Sequence, residues 1–173
     1  MPRETLSVEI EAPCEEVFQV VHDYGRRLDW DTMLSEARLL NGATQAGLGV
    51  RSLCVGTWRG AFLGLETEYI RFEPGRVAAV KLTNAPPFFD NFAATLRHDP
   101  LGVGRSRTTY VYSFRARPRW AAPILEPVMN RLLRREVRDR LQALKRFLEA
   151  PDPSGEYGPD QPARSTTPQP ENP

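Results

Sequence analysis

"APILEPVMNRLLRREVRDRLQALKRFLE", residues 122–149, decides the architecture. Leu125, Met129, Leu133, Val137, Leu141, Leu144 and Leu148 recur at helical spacing, so one face of the segment is apolar along its whole length. Pro123 and Pro127 confine the regular part of the helix to the residues beyond them, because proline is tolerated early in a helix and not within it. A helix this long buries one face only when a curved sheet wraps around it. The residues upstream must therefore supply a sheet.

They do so in order. "TLSVEIE" alternates Leu6, Val8 and Ile10 with polar neighbours, the pattern of a half-buried strand. In "APCEEVFQVVHD", Pro13 suits the first helical position, Glu15 and Glu16 suit the positive helix end, and Val17, Val20 and Val21 form a stripe. A second short helix runs through "RRLDWDTM". Six strand candidates come next, 35–41, 48–55, 61–73, 75–83, 91–98 and 105–116. "NGATQAG", "GTWRG", "EPGR", "NAPPFFDN" and "DPLGVG" divide them as turns. Those connections are too short for parallel crossovers, so the strands form an antiparallel meander. The expected class is α+β, in the order β-αα-β6-α, with a seven-stranded sheet around the last helix.

Charge and composition bound the rest. Residues 151–173 carry Asp152, Glu156, Asp160 and Glu171 against Arg164, together with seven of the sixteen prolines. Almost nothing there is apolar, so the segment is expected to be a disordered, Pro-rich acidic tail on a single domain spanning 1–150. No apolar run reaches the length of a membrane span, and "MPRETLSVEI" lacks the apolar core of a signal peptide. A cytoplasmic location is expected. Cys14 and Cys54 then read as free thiols. No phosphate loop, nucleotide glycine signature or nucleophile elbow occurs, and no cofactor is implied. Arg131, Arg134, Arg135 and Arg138 read as a solvated helix back without a nucleic-acid motif, and that polar back argues against an exposed apolar patch there.

The entry "VEIEAPCEEVFQVVHDYGRRLDWD" resembles that of the START-like or SRPBCC superfamily, the helix-grip fold, and its polyketide cyclase/dehydrase branch in particular. The resemblance rests on Ala12–Pro13 after the first strand, the Val17–Phe18 helix start, Asp23 and Trp30, "RFEPGR" at 71–76 and "LQALKRFLE" at 141–149. It covers about residues 4–149. The resemblance implies a deep, mostly apolar cavity between sheet and helix that holds lipids, sterols, polyketides or other hydrophobic molecules. Such a fold carries no one activity.

A cavity of that kind gives individual residues two possible roles, lining or packing. In "VVHDYGRRLDWDTML", residues 20–34, Asp23 and Trp30 read as a turn residue and a packing aromatic. Asp29 and Asp31 are expected to point away from the core, and His22 has no second histidine nearby, so no metal site is expected. Loops 56–60 and 84–90 and the link 117–122 should share one end of the sheet. They would bring Trp58, Phe88, Phe89 and Trp120 to one rim, either as a cavity mouth or as a plug. Tyr110, Tyr112 and Phe114 share a strand face, as do Phe92, Ala94, Leu96 and His98, with His98 read as a solvated turn residue. Glu136 and Arg140 fall within the arc of Met129, Leu133 and Val137, where they would either face a wet cavity or lie on an exposed helix edge, the simpler placement. If inward, Arg140 would hold a carboxylate or polar head group on an otherwise apolar ligand.

Three functions compete. Binding of a small hydrophobic molecule leads. An enzyme of the cyclase or dehydrase kind comes next, with Arg140, Glu136, Tyr110, Tyr112 and His98 as candidates. A protein-interaction module comes third, its partner unspecified.

Overall fold

The computed structural model describes residues 1–56 and 64–150. Seven strands form one antiparallel sheet: β1 (Arg3–Ile10), β2 (Leu34–Leu39), β3 (Arg51–Gly56), β4 (Gly64–Glu73), β5 (Val77–Leu82), β6 (Phe89–Gly102) and β7 (Arg105–Ala116). Their spatial order is β1-β7-β6-β5-β4-β3-β2, a meander closed at one edge by the first strand. Two helices, α1 (Cys14–His22) and the single turn α2 (Arg27–Trp30), link β1 to β2, and α3 (Ala122–Glu149) ends the chain's described part. This is the helix-grip arrangement.

Local chemistry explains the elements. In β1, Val8 and Ile10 turn inward and are buried, while Thr5 and Ser7, on the opposite face, are exposed. Helix α1 starts one residue after Pro13 and buries Cys14, Val17, Phe18 and Val21 against the sheet's end. Asp23 then accepts the Gly25 N–H at 2.9 Å and turns the chain toward α2. Between β4 and β5 the Arg76 N–H donates to the Glu73 carbonyl at 3.0 Å. Gly75 there has φ +71°, and a Cβ on it would stand 3.2 Å from the Glu15 carboxylate of α1. Only glycine suits both demands. Strand β6 is longer than its expected span of 91–98, because Phe89 and the stretch to Gly102 also pair with β7.

Helix α3 is held more firmly at one end than at the other. Its chief sheet neighbours are β1 and β7, and it also touches α2. Val137, Leu141, Ala143 and Leu144 are its buried residues, all in the second half. Lys145 donates to the Glu9 carbonyl at 2.8 Å, and Glu149 accepts the Glu11 N–H at 2.9 Å. In the first half, Asn130 ties the helix to the sheet by donating to Glu4 at 2.8 Å and accepting from the Tyr112 hydroxyl at 3.1 Å. Met129 and Leu133 point the same way as the buried stripe yet stay only partly buried. Opposite them, Leu65, Val80 and Leu82 of β4 and β5 are also only partly buried. The helix packs chiefly on β1 and β7, and these inward side chains of β4 and β5 stay only partly buried.

Candidate functional site

Where α2 meets α3 lies a cluster of charges carried by these two helices. Arg27 begins α2, Asp31 immediately follows it, and Glu136 and Arg140 lie one turn apart on α3. The Asp31 side chain is 0% exposed, with Arg27 at 11%, Arg140 at 16% and Glu136 at 34%. A single oxygen of Asp31, Oδ2, accepts from Arg27 Nε at 3.0 Å and forms an ion pair with Arg140 Nε at 2.9 Å, outside hydrogen-bond geometry. The other oxygen, Oδ1, is buried and has no hydrogen-bond partner among the described residues. Arg27 is held in place by donating to the Val21 carbonyl and by lying 4.5 Å over the Trp30 ring. Arg140 Nη2 stands 4.0 Å from Glu136, whose carboxylate reaches toward β3: a Cβ on Gly56 would be 3.9 Å from it.

These positions set the charges. Burial alone would raise the Asp31 carboxyl, but Arg140 and Arg27 outweigh it and keep the group below the ordinary carboxylate range. Burial works against the Arg140 charge too, yet Asp31, Tyr110 and Glu136 carry its pKa above the usual arginine value. Glu136 goes the other way: burial and the Asp31 charge raise it, and Arg140 only partly offsets them. Protonating Glu136 therefore switches the cluster from neutral to a net single positive charge, a setting that favours an anionic or enolic group beside Arg140.

Polar side chains continue around the cluster on the concave face. Tyr110 and the Cys54 thiol are both raised by burial, and both interact electrostatically with Arg140. A chain of hydrogen bonds runs from His22 Nδ1 to the Tyr69 hydroxyl at 2.9 Å and on to the Tyr24 hydroxyl at 3.2 Å. Ser52 and Thr67 meet at 3.1 Å beneath it. His98 sits apart, bonded through Nδ1 to Thr108 at 3.0 Å. Burial lowers both histidines, His22 to about 3 and His98 to about 4, so both are neutral near pH 7.

The structure brings some expected residues together and separates others. Tyr110, Glu136 and Arg140 meet, with Met129 and Leu133 along the same side of α3. Glu136 and Arg140 face inward and do not occupy an exposed helix edge, because Asp31 supplies Arg140 with a buried counter-charge. Phe92 and Tyr112 lie in the packed core beneath, at 8% and 1% exposure. Phe89 packs edge-on against Phe92 and Phe114 and is core, whereas Phe88 next to it and Trp120 are exposed. Trp58 lies outside the described residues.

Two expectations are corrected. Asp31, expected to turn outward, is buried: α2 is one turn long and Asp31 follows its end, with φ −86° and ψ 77°. Helical geometry no longer governs its direction there, and two arginines draw it in. His98, expected in solvent, is 3% exposed, since β6 continues past it. Arg27, Asp31, Tyr24 and Tyr69 are the members of the site that sequence reasoning missed. Arg27 and Asp31, four residues apart and of opposite sign, were the available signal for the first two.

Open surface hollows of about 320 Å³ lie between the N-terminus and the start of α3 and on the outer face of β1, β7 and β6. Neither is lined by the charged cluster.

Comparison with known proteins agrees with this fold. The profile of the family described as polyketide cyclase/dehydrase and lipid transport matches residues 1–149. The chain is similar in fold to the di-domain ARO/CYC protein BexL, with TM-score 0.71 and 16% identity over 86% of this chain. It spans about half of that protein, 47% of its length. The Zhui aromatase/cyclase from a Streptomyces species is similar with TM-score 0.67 and 18% identity, covering 86% of this chain and 96% of that one. A START superfamily protein from Mycobacterium smegmatis gives TM-score 0.70 and 15% identity, covering 85% and 97%. No curated protein sequence matches.

Proposed function

This chain belongs to the polyketide cyclase/dehydrase and lipid transport family, and from that premise we propose that it binds a small, mostly apolar molecule bearing one polar head group. The ligand lies between α3 and the β3–β5 half of the sheet. The observation that carries this reading is the partial burial there: Leu65, Val80, Leu82, Met129 and Leu133 pack against the main core yet none of them is fully buried. Arg140, Glu136 and Tyr110 supply the polar groups of the site. Apolar walls with a few convergent polar groups are what a small-molecule site requires. Arg140 binds the head group, Glu136 adjusts the local charge, and Asp31 positions Arg140 from behind.

A cyclase- or dehydrase-type reaction at the same site is the second reading. It is favoured by Glu136, a carboxyl raised by burial beside an arginine and a tyrosine, which suits proton transfer to an enolising ketone. Native mass spectrometry of the protein purified from its own cells, followed by solvent extraction, tests the first reading. A stoichiometric apolar adduct, lost in Leu133→Trp and weakened in Arg140→Met, is the expected result. An unchanged apo mass after incubation with fatty acids, sterols and aromatic polyketides would remove it. Turnover abolished in Glu136→Gln with binding retained would establish the second reading instead.

A further inference from the structure

The outer surface of α3 begins with apolar side chains in water. Trp120, just before the helix, is 86% exposed, Ile124 76% and Val128 56%. Ile124 and Val128 are one turn apart, so they form a ridge continuing from Trp120. Phe88, 55% exposed, stands on the neighbouring loop, where its carbonyl accepts the Arg117 N–H at 2.9 Å. One end of the molecule thus raises four large apolar side chains from two chain segments. The polar helix back expected from the sequence holds only further along.

Arginines follow directly. Arg131, Arg134, Arg135 and Arg138 are carried by α3 one to three turns beyond Val128, all four exposed. Residues 115–138 contain seven arginines and two glutamates. Both glutamates are turned away: Glu126 toward the Met1 ammonium and the Ala116 N–H, Glu136 into the charged cluster. The nearby acids neutralise only part of the field, Asp90 pairing with Arg119 at 3.5 Å and Asp139 with Arg135 at 3.8 Å. Arg117, Arg131, Arg134 and Arg138 have no ion pair among the described residues.

We propose that this end of the molecule docks on an anionic membrane surface. Trp120, Ile124 and Val128 enter the boundary between headgroups and acyl chains, and the arginines behind them lie among the phosphates. The shape favours this occupant. The patch is a convex ridge, which a deformable bilayer accommodates without a matching groove. Long arginine stems reach headgroups while their backbone stays shallow. A second copy of the chain would instead set arginines against arginines. None of the described helices is long and apolar enough to cross a membrane, so the contact is peripheral. The inference stands apart from the ligand reading and is tested without any ligand.

The test is flotation of the full chain with vesicles of phosphatidylcholine, with and without phosphatidylglycerol, at low and high salt. The expected result is binding to phosphatidylglycerol vesicles alone, weakened by salt. Ile124→Glu/Val128→Glu should reduce it more than about tenfold, and each neutralised arginine in Arg131→Gln/Arg134→Gln/Arg138→Gln should reduce it roughly fivefold. Brominated acyl chains should quench fluorescence in the unaltered chain but much less in Trp120→Phe. These side chains lie on the outer surface, so circular dichroism should show each variant folded. Failure of the unaltered chain to float, or flotation indifferent to both sets of substitutions, would overturn the proposal. So would a dimer in sedimentation velocity that Ile124→Glu/Val128→Glu dissociates, which would give the ridge to a second copy.

Discussion

Asp31 places a negative charge where no water reaches it, and two guanidiniums on one of its oxygens make that tolerable. Asp31→Asn leaves Arg27 and Arg140 buried beside each other without their shared counter-charge, and should cost about 3–5 kcal/mol in urea unfolding. Arg140→Met leaves the Arg27–Asp31 pair intact and should cost less, about 1–2 kcal/mol by the same measurement. The histidines predict a pH dependence. An unfolded imidazole takes up a proton near pH 6.5, whereas His98 does so only near about 4 and His22 near about 3. Between these values the unfolded chain binds more protons than the folded one. Stability should therefore fall as pH drops below about 6.5, with a slope approaching about 1.4 kcal/mol per pH unit for each ring. The His98 contribution ends near pH 4 and that of His22 near pH 3. Denaturant titrations across that range should show the slope roughly halved in His98→Gln. An unaltered slope would mean that His98 is charged in the folded protein.

Within α3, residues that look equivalent in sequence differ in what they touch. Leu133 and Leu144 belong to one apolar stripe, yet Leu144 is 1% exposed in the main core and Leu133 is only partly buried. Leu144→Ala should cost about 2–5 kcal/mol. Leu133→Ala should cost under about 1 kcal/mol, because little packing is lost there, while ligand affinity falls. Equal losses of stability in thermal melts would mean that the proposed ligand site over β3–β5 is packed shut in solution. The apolar stripe of the helix and the strands were legible in periodicity. Pro123 and Pro127, expected to hold the regular helix to the residues beyond them, instead lie within α3 from Ala122 on, and the turn expected at 56–60 falls largely outside the described residues. The length of β6 was not legible, since its ends are extended by pairing with β7 rather than by their own residues. The exposed ridge of Ile124 and Val128 was also hidden, because an apolar residue in sequence does not declare whether anything covers it.

At the scale of the whole molecule, the acidic tail proposed for 151–173 has too few apolar residues to add to the domain's core. A chain ending at Ala150 should melt within roughly two degrees of the full one by calorimetry. A larger drop would mean that the tail packs on the domain. Apolar spacing, turn residues and the order of segments were enough to determine one curved antiparallel sheet around a terminal helix, because those signals act between neighbours in the chain. The site was decided only by tertiary structure. Arg27 and Asp31 meet Arg140 across 109 positions of sequence, from Asp31 to Arg140, and Tyr110 joins them from strand β7. The direction of each depends on which charges lie opposite once the chain has folded. Burial magnifies those attractions in a way no local pattern records.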